Sequence, residues 1–257
     1  MAGTSSLERA VAVVTGAASG IGRAVVTDLV QLGARVVGVD LDVTGLETTA
    51  AALSDPDLFV PLVADVAEES TAALAVRTAE ERFGRLTVVV NNAAVSLPGD
   101  VDHTSLAAFD LSYAVNVRAP FQLIKHALPA LRRAGGGSIV NVGSINSMTA
   151  ERQLLAYCTT KGALLMLTKS VAVDHAIDNV RCNIVCPGYV DTPINRAHAE
   201  RLGGADVVRR TLADRQPLAR DGRAAEISAV VTFLAGSESS FITGAEVTVD
   251  GGLTAGL

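Results

Sequence analysis

The sequence has little that would suit it to nucleic acid, a membrane or a metal. Its 21 Lys and Arg are outnumbered by 27 Asp and Glu, giving a net charge of −6. No basic cluster marks one face, so nucleic acid is not an expected partner. No apolar run approaches the length of a bilayer span, and residues 1–9 lack the pattern of a signal peptide. No membrane association is therefore expected, and the expected location is the cytoplasm. Only three cysteines occur, an odd number that suits a reducing compartment. Cys182 and Cys186 share one predicted strand, where four residues span roughly 13 Å, too far for a disulfide. Cys158 reads as a buried, inert thiol. His103, His126, His175 and His198 share no ligand spacing with cysteines or carboxylates, so a structural or surface role is expected for each, and no metal. No linker, repeat or low-complexity segment divides the chain.

What is present is enough apolar residue for a full core. The chain has 257 residues, of which 49% are hydrophobic, consistent with one domain spanning 1–257. Short Val/Ile/Ala runs alternate with longer helical stretches. Strands are predicted at Val11–Thr15, Arg35–Asp40, Phe59–Ala64, Leu86–Asn91, Ser138–Val142, Val180–Cys186 and Glu246–Val249. These runs are continuous rather than alternating, as expected for strands buried on both faces of a parallel sheet. The β-α-β-α order implies an α/β fold of Rossmann type: a doubly wound parallel sheet of about seven strands with helices on both faces. Ligands of such sheets bind beyond the carboxyl ends of the strands. The stretch from Pro187 to about Asp221 departs from the rhythm and is expected to form a mobile lid. Helical stretches Ser105–Arg133 and Leu154–Ile177 are apolar on more than one face, which predicts a homo-oligomer, with a tetramer favoured.

Glycines in Gly16-x-x-x-Gly20-x-Gly22 follow the first strand and open the helix Ile21–Leu32. Lack of a side chain lets backbone approach a pyrophosphate, while the helix N-terminus supplies amide donors and positive potential. Ser19, Ile21 and Gly22 belong to the same turn. Asp40 ends the second strand, where a carboxylate can accept from adenosine ribose hydroxyls and would repel a 2′-phosphate. Arg35 stands at the wrong end of that strand to reverse this, so NAD is expected over NADP. Asp65-Val66 closes the third strand, within reach of an adenine amino group; Asp65 can also cap the helix Ala67–Phe83. Asn92-Ala93-Ala94 closes the fourth strand with small residues that let the loop pass close to a cofactor.

Tyr157 and Lys161 are four apart and so share one face of a helix, with Ser144 thirteen residues upstream of Tyr157. An ammonium beside a phenol favours the phenolate and lowers the tyrosine pKa from its usual value of about 10. With a dinucleotide on the glycine loop, this describes a nicotinamide-dependent carbonyl/alcohol oxidoreductase. Two hydroxyls on one substrate oxygen supply both a proton and charge stabilisation.

From Leu7 onward the chain resembles the short-chain dehydrogenase/reductase family, in its compact single-domain branch. The resemblance rests on Thr15-Gly16-x-x-x-Gly20-x-Gly22, Asn91-Asn92-Ala93, Ser144, Tyr157-x-x-x-Lys161 and Pro187-Gly188, in order and spacing. It implies Tyr157 as general acid/base, Ser144 as polariser of the substrate oxygen, and Lys161 as the group that tunes the tyrosine and holds the nicotinamide ribose. It further implies that Asn116 retains a water linking the lysine to solvent. Val190 backbone would meet the nicotinamide carboxamide, and Thr192 the carboxamide or phosphate; Thr192 can equally be a helix N-cap. Two departures stand out: Ala94 where the family often has glycine, and Gly143 where it usually has serine or alanine.

By position, Val95, Ser96, Ile145, Asn146, Leu154, Tyr189 and parts of 193–216 should line a substrate pocket for a secondary alcohol or ketone. Arg196, Arg201, Arg209 and Arg210 read as solvated helix faces. A cofactor-sensing regulator on the same fold would not need the Ser/Tyr/Lys group. A nucleotide-sugar epimerase would need a sizeable C-terminal substrate domain, where only six residues follow Gly251.

Overall fold

The computed structural model describes residues 7–201 and 203–256. Seven strands form one all-parallel sheet: β1 (Val11–Thr15), β2 (Arg35–Asp40), β3 (Phe59–Val63), β4 (Val88–Asn91), β5 (Gly137–Val142), β6 (Val180–Pro187) and β7 (Glu246–Val249). Their spatial order is β3-β2-β1-β4-β5-β6-β7, so the winding reverses between β1 and β4. Helices α1 (Gly20–Gln31), α2 (Val43–Ala51), α3 (Glu69–Phe83), α4 (Leu106–Tyr113), α5 (Ala119–Arg133), α6 (Leu155–His175), α7 (Pro193–Arg201), α8 (Ala205–Arg215) and α9 (Ala224–Ala235) complete the chain.

The valine runs are continuous because both sheet faces are covered. Successive side chains leave a strand on opposite faces. Ala12 and Val14 join α1 and α9 in one core, where Val25, Leu29, Ile227, Val231 and Leu234 pack. Val11 and Val13 join α3 and α5 in the other, against Ala75, Ala79, Leu123, Ala127 and Leu131. The first and last long helices are thus neighbours, and the Ser228 hydroxyl donates to the Asp28 carboxylate between them. Arg181, at the start of β6, donates to the carbonyls of Leu234 and Gly236, meeting the negative end of α9 with a cation.

Two expectations are revised in detail. The stretch 105–133 is not one helix: a π-helical turn, Ala114–Arg118, separates α4 from α5. The stretch 187–221, expected as a lid outside the strand-helix rhythm, contains two helices, α7 and α8, which meet through Ala199, Val208 and Tyr189. All three cysteines are free. No described helix is long and apolar enough to cross a membrane, and the described residues hold no His/Cys/Asp/Glu group suited to a metal ion.

Candidate active site

The winding reversal leaves a cleft of about 940 Å³ at the carboxyl ends of the strands. That is the upper end of the usual range for ligand sites, roughly 300–1,000 Å³. Gly16, Ser19, Gly20, Ile21, Asp40, Asp65, Val66, Asn92, Ala93, Ala94, Ser144, Tyr157, Lys161, Pro187, Gly188, Val190 and Thr192 all line it. Gly22 and Asn116 stand behind its wall. A Cβ on Gly22 would run into the Gly16 carbonyl oxygen, so glycine is needed there for packing the helix on its own loop. Gly16 takes φ +67°, and a Cβ there would come within 2.6 Å of Asn92 Nδ2.

The nucleotide half is built mostly from backbone. Asn92 Nδ2 donates to the carbonyls of Thr15 and Gly16 at 3.0 and 3.1 Å, tying the end of β4 to the glycine turn. The start of α1 has no side-chain cap and no acidic residue in its first turn. Its orphan amides and positive end therefore favour an anion. Asp40 is fixed by two backbone donors, Ala18 N at 2.9 Å and Asp42 N at 3.0 Å, and its carboxylate keeps acceptor sites for further donors. Asp65 Oδ1 accepts from Ala67 N at 2.8 Å, a local turn that precedes α3 rather than capping it. The guanidinium of Arg23 is spent on Ala18 O, Gly45 O and Thr49 Oγ1. Backbone cradle, helix end and anchored carboxylate together fit a nicotinamide dinucleotide.

At the middle of the cleft, Ser144 follows β5 and Tyr157 and Lys161 lie on α6. The Ser144 side chain faces Tyr157 closely enough to pull its pKa down. Ser144 Oγ also accepts from Asn146 N at 3.1 Å. Lys161 Nζ donates to Val142 O at 2.7 Å and lies 5.6 Å from the centroid of the Tyr157 ring. The electrostatics differ from the sequence expectation. Part of the Tyr157 ring is open to the cleft, but burial pushes its pKa up to about 12, against the lowering pull of Ser144. Burial also pushes Lys161 down to about 8. In the free protein desolvation is the largest influence on both groups.

Asn116 is one of the residues carried by the π-helical turn. Both polar atoms of its side chain are engaged: Oδ1 accepts from Val95 N at 2.8 Å, and Nδ2 donates to Val95 O at 2.9 Å and Thr160 Oγ1 at 3.0 Å. Gly143 has a packing reason. A Cβ there would approach Ile184 Cδ1 at 2.7 Å and Ser147 Oγ at 2.9 Å.

The substrate half holds Val95, Ser96, Ile145, Asn146, Leu154 and Tyr189, with His198 and Arg215 from the 193–216 stretch, and also Glu151 and Arg152, which the sequence did not assign to it. His198 is not a surface residue: its side chain is 12% exposed and its Nε2 lies 3.2 Å from Glu151 Oε1. Arg196 pairs with Asp191 outside the cleft, and Arg201 and Arg210 do not line it. The side chain of Arg209 lies outside the described residues.

Comparison with known proteins agrees with this architecture. A family model described as enoyl-(acyl carrier protein) reductase matches residues 16–254. The chain is 41% identical over 252 residues to a 2-(R)-hydroxypropyl-CoM dehydrogenase of Xanthobacter autotrophicus, covering 95% of this chain and 98% of that protein. It is 38% identical over 248 residues to a cis-4-hydroxycyclohexanecarboxylate dehydrogenase of Sinomonas cyclohexanicum, covering 95% and 96%. The crystal structure of a levodione reductase superposes with a TM-score of 0.93 at 30% identity, covering 97% of this chain and 99% of that one.

Proposed function

The chain belongs to the short-chain dehydrogenase/reductase family, and from that premise we propose that it interconverts a secondary alcohol and its ketone with NAD as the preferred cofactor. The observation that carries this reading is the meeting of Ser144, Tyr157 and Lys161 between a dinucleotide-sized half-cleft and a substrate half.

The bound nicotinamide supplies the partner that takes or gives hydride at the substrate carbon. The chain's own residues handle the oxygen. The Tyr157 hydroxyl gives its proton to a carbonyl oxygen, or as phenolate removes one from an alcohol. Ser144 accepts from Asn146 N, which leaves its own proton to donate to the charge developing on that oxygen. Lys161 uses one donor on Val142 O and has two left for the ribose hydroxyls of the cofactor. With both Asn116 Nδ2 hydrogens and one Oδ1 lone pair committed, a water relay at that position would run through its main-chain carbonyl. A π turn leaves such a carbonyl without its ordinary helical partner.

The preference for NAD rests on Asp40. Its carboxylate faces the cleft where a ribose 2′-oxygen would sit, and among the described residues no cation lines that end. The substrate class follows from the outer wall. Arg152 and Arg215 line the cleft; Arg215 lends charge to Glu151, and Arg152 has no hydrogen bond or ion pair among the described residues. Guanidinium groups so placed suit a carboxylate remote from the reacting hydroxyl. The relative acting on hydroxycyclohexanecarboxylate carries such a group on its substrate. The protein acts in the cytoplasm as a homo-oligomer, with the helices α4 to α6 supplying the interface and α7 and α8 forming a lid.

The test is a spectrophotometric assay with NAD and, in parallel, NADP, across secondary alcohols, polyols and hydroxy acids. NADH formation fastest on a hydroxy acid is the expected result. Tight NADH binding with no turnover on the whole panel would instead indicate a sensing role.

A further inference from the structure

A chain of hydrogen bonds runs from the excursion after β6 to the catalytic serine. His198, on α7, meets Glu151 Oε1 at 3.2 Å. Glu151 Oε2 accepts from Asn146 Nδ2 at 3.2 Å. Asn146 N in turn donates to Ser144 Oγ at 3.1 Å, and Ser144 faces Tyr157 across the cleft. Glu151 is also pinned to α6, its amide donating to Cys158 Sγ at 3.5 Å. Its carboxyl is held below the usual range by the bonds from His198 and Asn146, against the effect of burial, so it is an anion with both oxygens directed.

We infer that Glu151 is a positioning residue: seated by His198 of α7, it sets the Asn146 turn and thereby the direction of the Ser144 hydroxyl toward the substrate oxygen. The direction matters physically. A serine hydroxyl has one proton and rotates freely unless its oxygen is committed. The Asn146 amide commits the oxygen, and Glu151 holds the side chain of the same residue, adding to the local bonds that keep the 144–147 turn in place. Through this chain the seating of α7 over the substrate half biases the serine toward its working direction, which couples substrate enclosure to catalytic competence. Arg215, from α8, adds a favourable charge to the same carboxylate.

This inference rests on the dehydrogenase reading above, and a double-mutant cycle separates the two. Glu151→Ala and His198→Ala should each lower kcat about five- to fiftyfold, with cofactor affinity unchanged. Glu151→Gln, which offers one acceptor in place of two, should lose less. In a Ser144→Ala background, followed by single turnovers at high enzyme concentration, Glu151→Ala should cost nothing further. Equal losses with and without the serine hydroxyl would overturn the inference, since they would mean a direct substrate contact or a purely structural role. A loss confined to KM would overturn it too. Absence of turnover in the unmodified enzyme would strike the dehydrogenase reading instead.

Discussion

The Lys161 ammonium is bonded to the Val142 carbonyl at 2.7 Å and faces the Tyr157 ring from 5.6 Å. Each of the two side chains is held away from its charged form by burial, the lysine down to about 8 and the tyrosine up to about 12.

That arrangement gives stability a pH dependence of definite sign. Between about pH 8 and the ordinary lysine value near 10.4, the unfolded chain holds a proton at residue 161 that the folded chain has released. Stability therefore rises with pH across that window, by on the order of 3 kcal/mol if the group acts alone. Lys161→Met should lack this rise. Urea midpoints of both proteins at pH 7.5 and pH 10 check it, and a parallel pH response would refute it.

Tyr157→Phe should lower turnover at least about a hundredfold, by removing the proton carrier while keeping the ring. Fluorescence titration with NADH should show binding within about threefold of the unmodified protein. Turnover near the original rate would mean another group moves the proton.

Asp40→Asn removes the charge but keeps an acceptor for the Ala18 or Asp42 amide. The ratio of kcat/KM for NAD over NADP should fall about tenfold or more, equivalent to about 1.4 kcal/mol. An unchanged ratio would show that selection against a 2′-phosphate lies elsewhere.

Gly143→Ala should destabilise by about 1–3 kcal/mol, because the added methyl overpacks against Ile184, which is fully buried. Combining it with Ile184→Val should return part of the loss, since the clashing Cδ1 is the atom removed. Denaturant unfolding of the two single variants and the double variant measures the coupling.

Leu106, Phe121, Met166 and Val173 on α4, α5 and α6 are 83%, 49%, 60% and 79% exposed. Apolar side chains this open on adjoining helices predict an assembled state. Light scattering at micromolar concentration should give a mass above the 26.4 kDa of one chain. A mass of one chain would remove the proposed interface.

Most of the fold could be read from the valine runs, since full burial leaves nothing polar to blur a strand's ends. β4 begins two residues later than expected for a local reason. Thr87 Oγ1, instead of a strand carbonyl, accepts from Val11 N, so the ladder starts at Val88. The π turn left no sequence signal because it is set by bonds from Asn116 to Val95 and Thr160, distant in sequence. The nucleotide half was legible because glycines and strand-end carboxylates carry position-specific chemistry. Glu151 and His198 were not, because they are 47 residues apart and become a pair only after α7 has folded over the cleft.

The contact of α9 with α1 bears on when the protein becomes functional during its own synthesis. The glycine turn is among the first segments made, yet the outer face of the helix it opens is covered by residues 224–235. On a ribosome the dinucleotide cradle would wait, its apolar flank open, until most of the chain has been translated. Nascent chains stalled before residue 224 are thus the species that a chaperone would find exposed.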